Sequence, residues 1–427
     1  MTDNTDYLER VRALSDRIVA AQRPIRVLEA TNWGEDIRRQ VLSGKKPVMP
    51  RVDAEYYRQN RPLGFDVADK HSEFHAIERD ITRQLGQLNP LAGIMRRICQ
   101  EYQMVVRMLQ ARGTPEFAQL SETLYGAASD VFHAGDPSVA ELGERMEQTV
   151  GGLLRSPMLE AAPRDIDAEA AVAFLNERMQ AVFPGAGIRV MISDGIAADA
   201  AAGTDYIKIR RDARFNQQDL DLLEAHEGWV HLGTTLNGAA QPWCTFLGKG
   251  PPSATITQEG LAVLTEIIAM RSSPHRLHRL VNRVRAVTLV EQGADFIEIM
   301  RFLADKGLDR EQAYTLASRV FRGSVPNGGP FTKDITYLKG FIMCFNFLRL
   351  AVHQGKLEAV ERLFCGKTVI EDMKVLEGLI NDGVVVRPTY LPPPFADMTG
   401  LAAYLSFNRF ISDLSFQQLE ADYAAIL

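Results

Sequence analysis

His226 is followed at once by Glu227, and a second histidine, His231, stands five residues after the first, all within LLEAHEGWVHLGTTLNG (Leu222 to Gly238). Two imidazoles and a carboxylate in this order are the parts of a metal-dependent hydrolase. Hydrolysis of an amide near neutral pH needs an activated water, and zinc supplies one by lowering the pKa of bound water to about 7 while polarising the carbonyl. The usual helix for this chemistry reads H-E-x-x-H, with the histidines one turn apart and the glutamate as general base. Here the spacing is one residue longer. At about 100° per residue, positions i and i+4 of an α-helix lie about 40° apart, whereas i and i+5 lie about 140° apart. A regular helix would aim the two rings to different sides. Either a π-type bulge absorbs the extra residue or the helix ends near His231. Gly228, directly after Glu227, makes local distortion cheap and favours the bulge. Without a metal, the same residues are two partly buried histidines beside a glutamate.

A catalytic zinc keeps three protein ligands and one open position, so a third ligand is required. Glu259 is the candidate: it lies in TITQEGLAVLTEIIAM, which opens an amphipathic helix after a Gly- and Pro-rich loop. A glutamate in a first helical turn also serves as a capping or dipole-compensating residue. Glu266, seven residues on, shares its face and is placed to brace a ligand histidine.

The elements around these residues are mainly helical. From residue 1 to about 160, segments such as HSEFHAIERDITRQLGQLN and LAGIMRRICQEYQMVVRMLQARG repeat apolar residues at three- and four-residue steps. After the helix AEAAVAFLNERMQAVF come two β-branched runs, GIRVMISDG and TDYIKIRR, which predict a small sheet at about 187–211. Helices return from Gln217, and the tail from Arg387 (RPTYLPPPFADM) is extended before a last helix. The expected fold is mainly α with a small β-sheet (α+β). Its expected division is an N-terminal helical region over 1–160, a catalytic domain over 161–385, and a C-terminal extended segment and helix over 386–427 packing on the body.

Composition narrows the partners. With 427 residues the chain can build a large core, and with 48 basic against 54 acidic residues its formal charge is −6, which disfavours nucleic acid. The four cysteines, Cys99, Cys244, Cys344 and Cys365, are scattered and read as reduced thiols. The amino terminus lacks a basic and an apolar region in succession. The longest apolar stretch, LKGFIMCFNFLRLAV, carries Lys339, Asn346 and Arg349 and reads as a buried helix rather than a membrane span. A cytoplasmic protein is expected.

Five blocks in fixed order carry a family resemblance: His226-Glu227 with His231, Gln241-Pro242-Trp243, Glu259-Gly260-Leu261-Ala262, Arg322-Gly323, and FTKDITYLKG from Phe331 to Gly340. With Gln258, the third block spells QEGLA, the motif that names the flavohemoglobin-expression-modulating QEGLA-motif proteins. Those proteins resemble the microtubule-associated tyrosine carboxypeptidases, zinc enzymes that remove the terminal tyrosine of α-tubulin. The blocks cover roughly the carboxy-terminal half. The resemblance implies a zinc-metallopeptidase-like helical catalytic domain, one Zn2+ per chain held by His226, His231 and Glu259, and Glu227 as catalytic base. It departs from the family in having Trp229 and Val230 before the second histidine, where glycine and threonine are usual, and its glycine at 228.

A carboxypeptidase also needs a cation for the terminal carboxylate, and Arg322 and Lys333 in the downstream blocks are the candidates, against a purely structural role for each. Tyr337 is either a donor to the developing oxyanion or a core tyrosine. The YIKI run (Tyr206 to Ile209) is either an edge strand that pairs with a peptide or an interior strand. Trp243 either lines a pocket for an aromatic terminal residue or packs in the core. The expected function is release of a C-terminal residue, tyrosine or another aromatic, from a peptide or protein. The alternatives are a zinc amidase acting on a small peptide-like metabolite and a non-catalytic regulatory protein that retains the fold.

Overall fold

The computed structural model describes residues 2–412 except 45, 161, 195 and 197, and beyond them 415, 417, 418 and 423. Helices dominate, with a single three-stranded sheet among the described residues, so the fold is mainly α with a small sheet. The last helix, Met398–Ile411, buries Leu401 and Leu405 in the same core cluster as helices from the start of the chain. The rest of the expected C-terminal segment, from 413, lies largely outside the described residues.

Amphipathic periodicity explains the main packing. The helices Thr2–Gln22, Val67–Leu85 and Pro90–Gln110 turn Val11, Leu14, Ile18, Phe74, Ile77, Ile98 and Val105 inward. There they meet Leu261 and Leu264 of the helix Pro252–Ile268, which carries Glu259, and Cys344 and Leu348 of the helix Ile335–His353, which carries Tyr337. Glu101 reaches from the Pro90–Gln110 helix to the start of the Glu259 helix, accepting from Ser253 N and Ser253 Oγ, each at 2.8 Å. A carboxylate at this position satisfies one of the free amides of a helix start and complements its dipole.

The Ile335–His353 helix belongs to a stretch, Thr332–His353, long and apolar enough to cross a membrane by length and composition. Its inner face, Ile335, Leu338, Cys344 and Leu348, is buried in the protein core, and Lys339 pairs with Asp130 at 2.6 Å. It crosses the Glu259 helix at closest approach. A Cβ added to Gly260 would lie 2.0 Å from the carbonyl carbon of Gly340, and one added to Gly340 would lie 1.9 Å from Ile256 O. Only glycine at both positions lets the two backbones touch.

The sheet has strand order β1-β3-β2, with β1 (Arg189–Ser193) parallel to β3 (Tyr206–Arg210) and β2 (Ala200–Ala202) antiparallel to it. YIKI is therefore the interior strand, with Ile207 and Ile209 fully buried against the Ala168–Val182 helix cluster, and the edges are β1 and the alanine strand β2. Arg210 N donates to Asp199 O at 2.9 Å and Gly203 N to Tyr206 O at 2.7 Å. Residues 199, 201 and 203 thus turn their backbone groups to β3, and Ala200 and Ala202 turn theirs away from it.

The glycine crossing yields a direct expectation. Gly340→Ala meets backbone rather than a yielding side chain, and overpacking of a core costs about 1–3 kcal/mol, occasionally more. Its urea unfolding midpoint should fall accordingly, and a midpoint equal to wild type would show that the helices separate freely.

Candidate active site

The histidines sit on a backbone of altered register. Asn216 and Asp219 form a reciprocal capping box that starts the helix Gln217–Leu223. The chain then runs as a π-helix over Glu224–Leu232 before returning to α over Gly233–Ala239. The bulge expected from the spacing is thus a nine-residue segment. At its entry, fully buried Glu224 accepts from Arg178 Nε at 3.0 Å and from Arg271 Nη1 at 2.9 Å, and Arg271 also lies over the Trp229 ring at 4.6 Å. In the middle, Gly228 leaves room for Met179, whose Sδ would be 2.8 Å from a Cβ there. At the exit, His231 O accepts from Thr235 Oγ1 at 2.7 Å and Lys367 Nζ at 2.9 Å. The wider turn brings the two imidazoles together, ring centroids 4.8 Å apart and nearly perpendicular.

Both rings aim Nε2 at one oxygen. Glu259 Oε2 is 3.4 Å from His226 Nε2 and 3.5 Å from His231 Nε2, and it is a buried acceptor with no hydrogen-bond donor. The three groups each offer a ligand atom, all within 4.8 Å of one another, and could hold a metal ion. Glu259 Oε1 accepts from Lys333 Nζ at 2.9 Å, so Lys333 fixes this carboxylate from the side away from the histidines. Behind His226, Nδ1 lies 2.6 Å from Glu266 Oε1, as the shared helix face suggested. Glu266 is gripped in turn by Arg276, with Nε 3.1 Å from Oε2 and Nη2 3.0 Å from Oε1. A carboxylate at Nδ1 holds the proton there and leaves the Nε2 lone pair facing the cluster.

Electrostatics follow from burial against pairing. Burial alone would raise Glu266, but the Arg276 guanidinium and His226 hold it down, to about 2. Glu259 is likewise held well below the usual carboxylate range, burial being outweighed by Lys333 and both histidines. Burial pulls His231 down, against the pull of Glu259.

Glu227 points to the sheet. Its Oε2 accepts from Ala202 N, one of the outward-facing amides of β2, at 2.8 Å. The candidate base is thereby held between the histidines and the open strand edge.

On the far side stands a group of cations around Tyr337, whose ring lies nearly parallel to that of His226 with centroids 6.3 Å apart. Arg283 sits over the Tyr337 ring at 5.0 Å and Lys333 Nζ at 5.8 Å. Arg319 pairs with buried Asp334 through Nε at 2.9 Å and Nη2 at 2.6 Å. Arg322 is only 5% exposed, packs over Phe331 at 5.3 Å, and has no carboxylate within 4.0 Å among the described residues. Burial and nearby Arg319 disfavour its charge, while Asp334 supports it.

The structure thus gathers His226, Glu227, His231, Glu259, Lys333 and Tyr337, and places Arg322 in the adjoining cation group. Trp243 is partly buried against the main core cluster. Arg276, Arg283, Arg319 with Asp334, Lys367 and the Ala202 amide were not legible from spacing. A signal did exist for part of this: Arg276, Arg279 and Arg283 recur at three and four residues on one face of the helix Pro274–Glu291.

A two-histidine, one-carboxylate cluster with a further glutamate held against a sheet edge makes this a mainly helical protein with a candidate metal centre. The family model described as "Microtubule-associated tyrosine carboxypeptidase" matches residues 40–413, and the chain belongs to that family. Membership places it among peptidases of carboxypeptidase type. The match takes in most of the N-terminal helices as well as the five blocks. No curated protein matches the chain.

Removing one partner of a buried ion pair leaves the other uncompensated, at a cost of about 3–5 kcal/mol. Arg276→Met should lower unfolding stability by that amount in chemical denaturation. A loss below about 1 kcal/mol would show that Glu266 does not depend on Arg276.

Proposed function

We propose that this chain is a zinc-dependent carboxypeptidase that releases the C-terminal residue, tyrosine or another aromatic, from a peptide or protein. The observation that carries the reading is the convergence of two imidazole nitrogens, at 3.4 and 3.5 Å, on one buried carboxylate oxygen. Ligands sharing a tetrahedral zinc at about 2.0–2.1 Å stand about 3.3–3.4 Å apart, and the separations here are 3.4 and 3.5 Å. Two imidazoles and one carboxylate are a common donor set for catalytic zinc. Zinc held by His226, His231 and Glu259 would polarise the scissile carbonyl and acidify water at the open position.

The protein's own residues supply the rest. Ala202 N–H fixes Glu227 Oε2, which leaves Oε1 to accept a proton from water and deliver it to the leaving amine. The outward C=O of partly exposed Ala202 on the edge of β2 suits an extended peptide main chain, which favours a peptide over a small metabolite. With Lys333 held by Glu259, the terminal carboxylate falls to Arg322, and Tyr337, its ring beside His226, is the donor for the oxyanion. The family's name supplies the substrate class, a protein carboxy terminus ending in tyrosine, and Arg279 and Arg283 favour an acidic segment ahead of it. Four free, buried thiols support a cytoplasmic setting.

Elemental analysis of the purified chain should find about one zinc, lost in His226→Ala and retained in Glu227→Gln. The glutamine variant should release amino acids from a peptide mixture about 10²–10⁴ times more slowly. Wild type without zinc after supplementation would end the metal reading. If Arg322 holds the terminal carboxylate, Arg322→Met should lower kcat/KM about 30-fold, the equivalent of about 2 kcal/mol. Amidating the peptide C-terminus should then hurt wild type far more than the variant, and equal losses in both would exclude Arg322 from this role.

A further inference from the structure

One lysine ties the second candidate histidine to the residue before Glu259 from outside the cluster. Lys367 lies in the loop after the helix Glu358–Arg362, and Lys367 Nζ donates both to His231 O at 2.9 Å and to Gln258 Oε1 at 3.0 Å. Gln258 directly precedes Glu259 and is 5% exposed. Thr234 Oγ1 stands 2.7 Å from the same amide oxygen and 2.6 Å from Val230 O, sharing its one proton between them. The backbone of the loop is seated as firmly as its side chain: Lys367 N donates to Leu247 O at 2.6 Å, and a Cβ on Gly366 would lie 2.7 Å from that oxygen.

We propose that Lys367, acting through Gln258, is a positioning residue that locks the π-helical register so that His231 faces Glu259. The inference rests on the metal reading above. A π-segment is a rare arrangement, and relaxation to α geometry would swing His226 and His231 to about 140° apart. The chain therefore needs a tie at the far end of the segment, and Lys367 provides it at the carbonyl of the second histidine itself. Burial draws the Lys367 ammonium down to about 7, yet the neutral amine keeps two N–H groups, enough for both contacts. The glutamine of QEGLA gains a role from the same contacts: it bridges the histidine segment and the Glu259 helix.

The test is zinc affinity of the full chain, measured by competition with a chelating dye for wild type, Lys367→Met, Lys367→Arg and Gln258→Leu. Loss of a group that orients a ligand typically weakens metal binding about 10- to 100-fold. That loss is expected in the Met and Leu variants, with near recovery in Lys367→Arg and no further loss in the Met/Leu double variant. At saturating cobalt, the visible spectrum of Lys367→Met should differ from wild type, because ligand geometry has changed; loss of stability alone would leave it unaltered. A folded Lys367→Met that binds zinc within twofold of wild type, with the same cobalt spectrum, overturns this proposal alone. Wild type that binds no zinc overturns it together with the metal reading. Should Lys367→Met fail to fold, Gln258→Leu carries the same comparison, and full affinity there overturns the proposal.

Discussion

The backbone contact between Gly260 and Gly340 is the constraint on which the site depends. Glu259 is the residue before the first glycine, and Lys333 and Tyr337 precede the second by seven and three positions. Bringing two helices to van der Waals contact at their main chains places those side chains on one another: Lys333 on the Glu259 carboxylate, Tyr337 beside the His226 ring. A larger residue at either glycine would separate a candidate ligand from the lysine that orients it. The same device recurs below the histidine segment, where a Cβ on Gly238 would fall 2.2 Å from Leu247 O. Small residues here set the spacing of functional ones.

Through the crossing runs a buried row in which carboxylates alternate with nitrogen groups: Arg276, Glu266, His226, Glu259, Lys333. Each carboxylate has a permanent cation on its outer side and an imidazole on its inner side. This arrangement lets acidic groups persist in the interior, where an isolated carboxylate would become neutral. It also leaves one carboxylate oxygen, Glu259 Oε2, facing both imidazoles, which is where a cation would be held.

Much of this is legible in the amino-acid sequence. The i, i+5 histidines imply an altered helical register, the seven-residue interval from Glu259 implies a partner for a ligand histidine, and helical periodicity points to the fold class. What stays hidden has physical causes. The edge strand β2 is three alanines, residues with little strand preference, so the β-branched YIKI draws attention although it is the interior strand. The amide of Ala202 carries no side-chain information at all. Arg276, Lys367 and Asp334 act through contacts set by tertiary packing, and a lysine that serves a carbonyl 136 positions away looks like any other lysine.

That last separation has a consequence for biosynthesis. Ser15 Oγ accepts from Phe246 N, and Lys367 closes on His231, so the contacts that shape the cluster span nearly the whole chain. Contacts this distant in sequence form late and slow folding, and on the ribosome the amino-terminal helices emerge long before their partners. The histidines are translated well over a hundred residues before Lys367, whose side chain reaches the His231 carbonyl. A nascent chain therefore lacks this contact until synthesis is nearly complete.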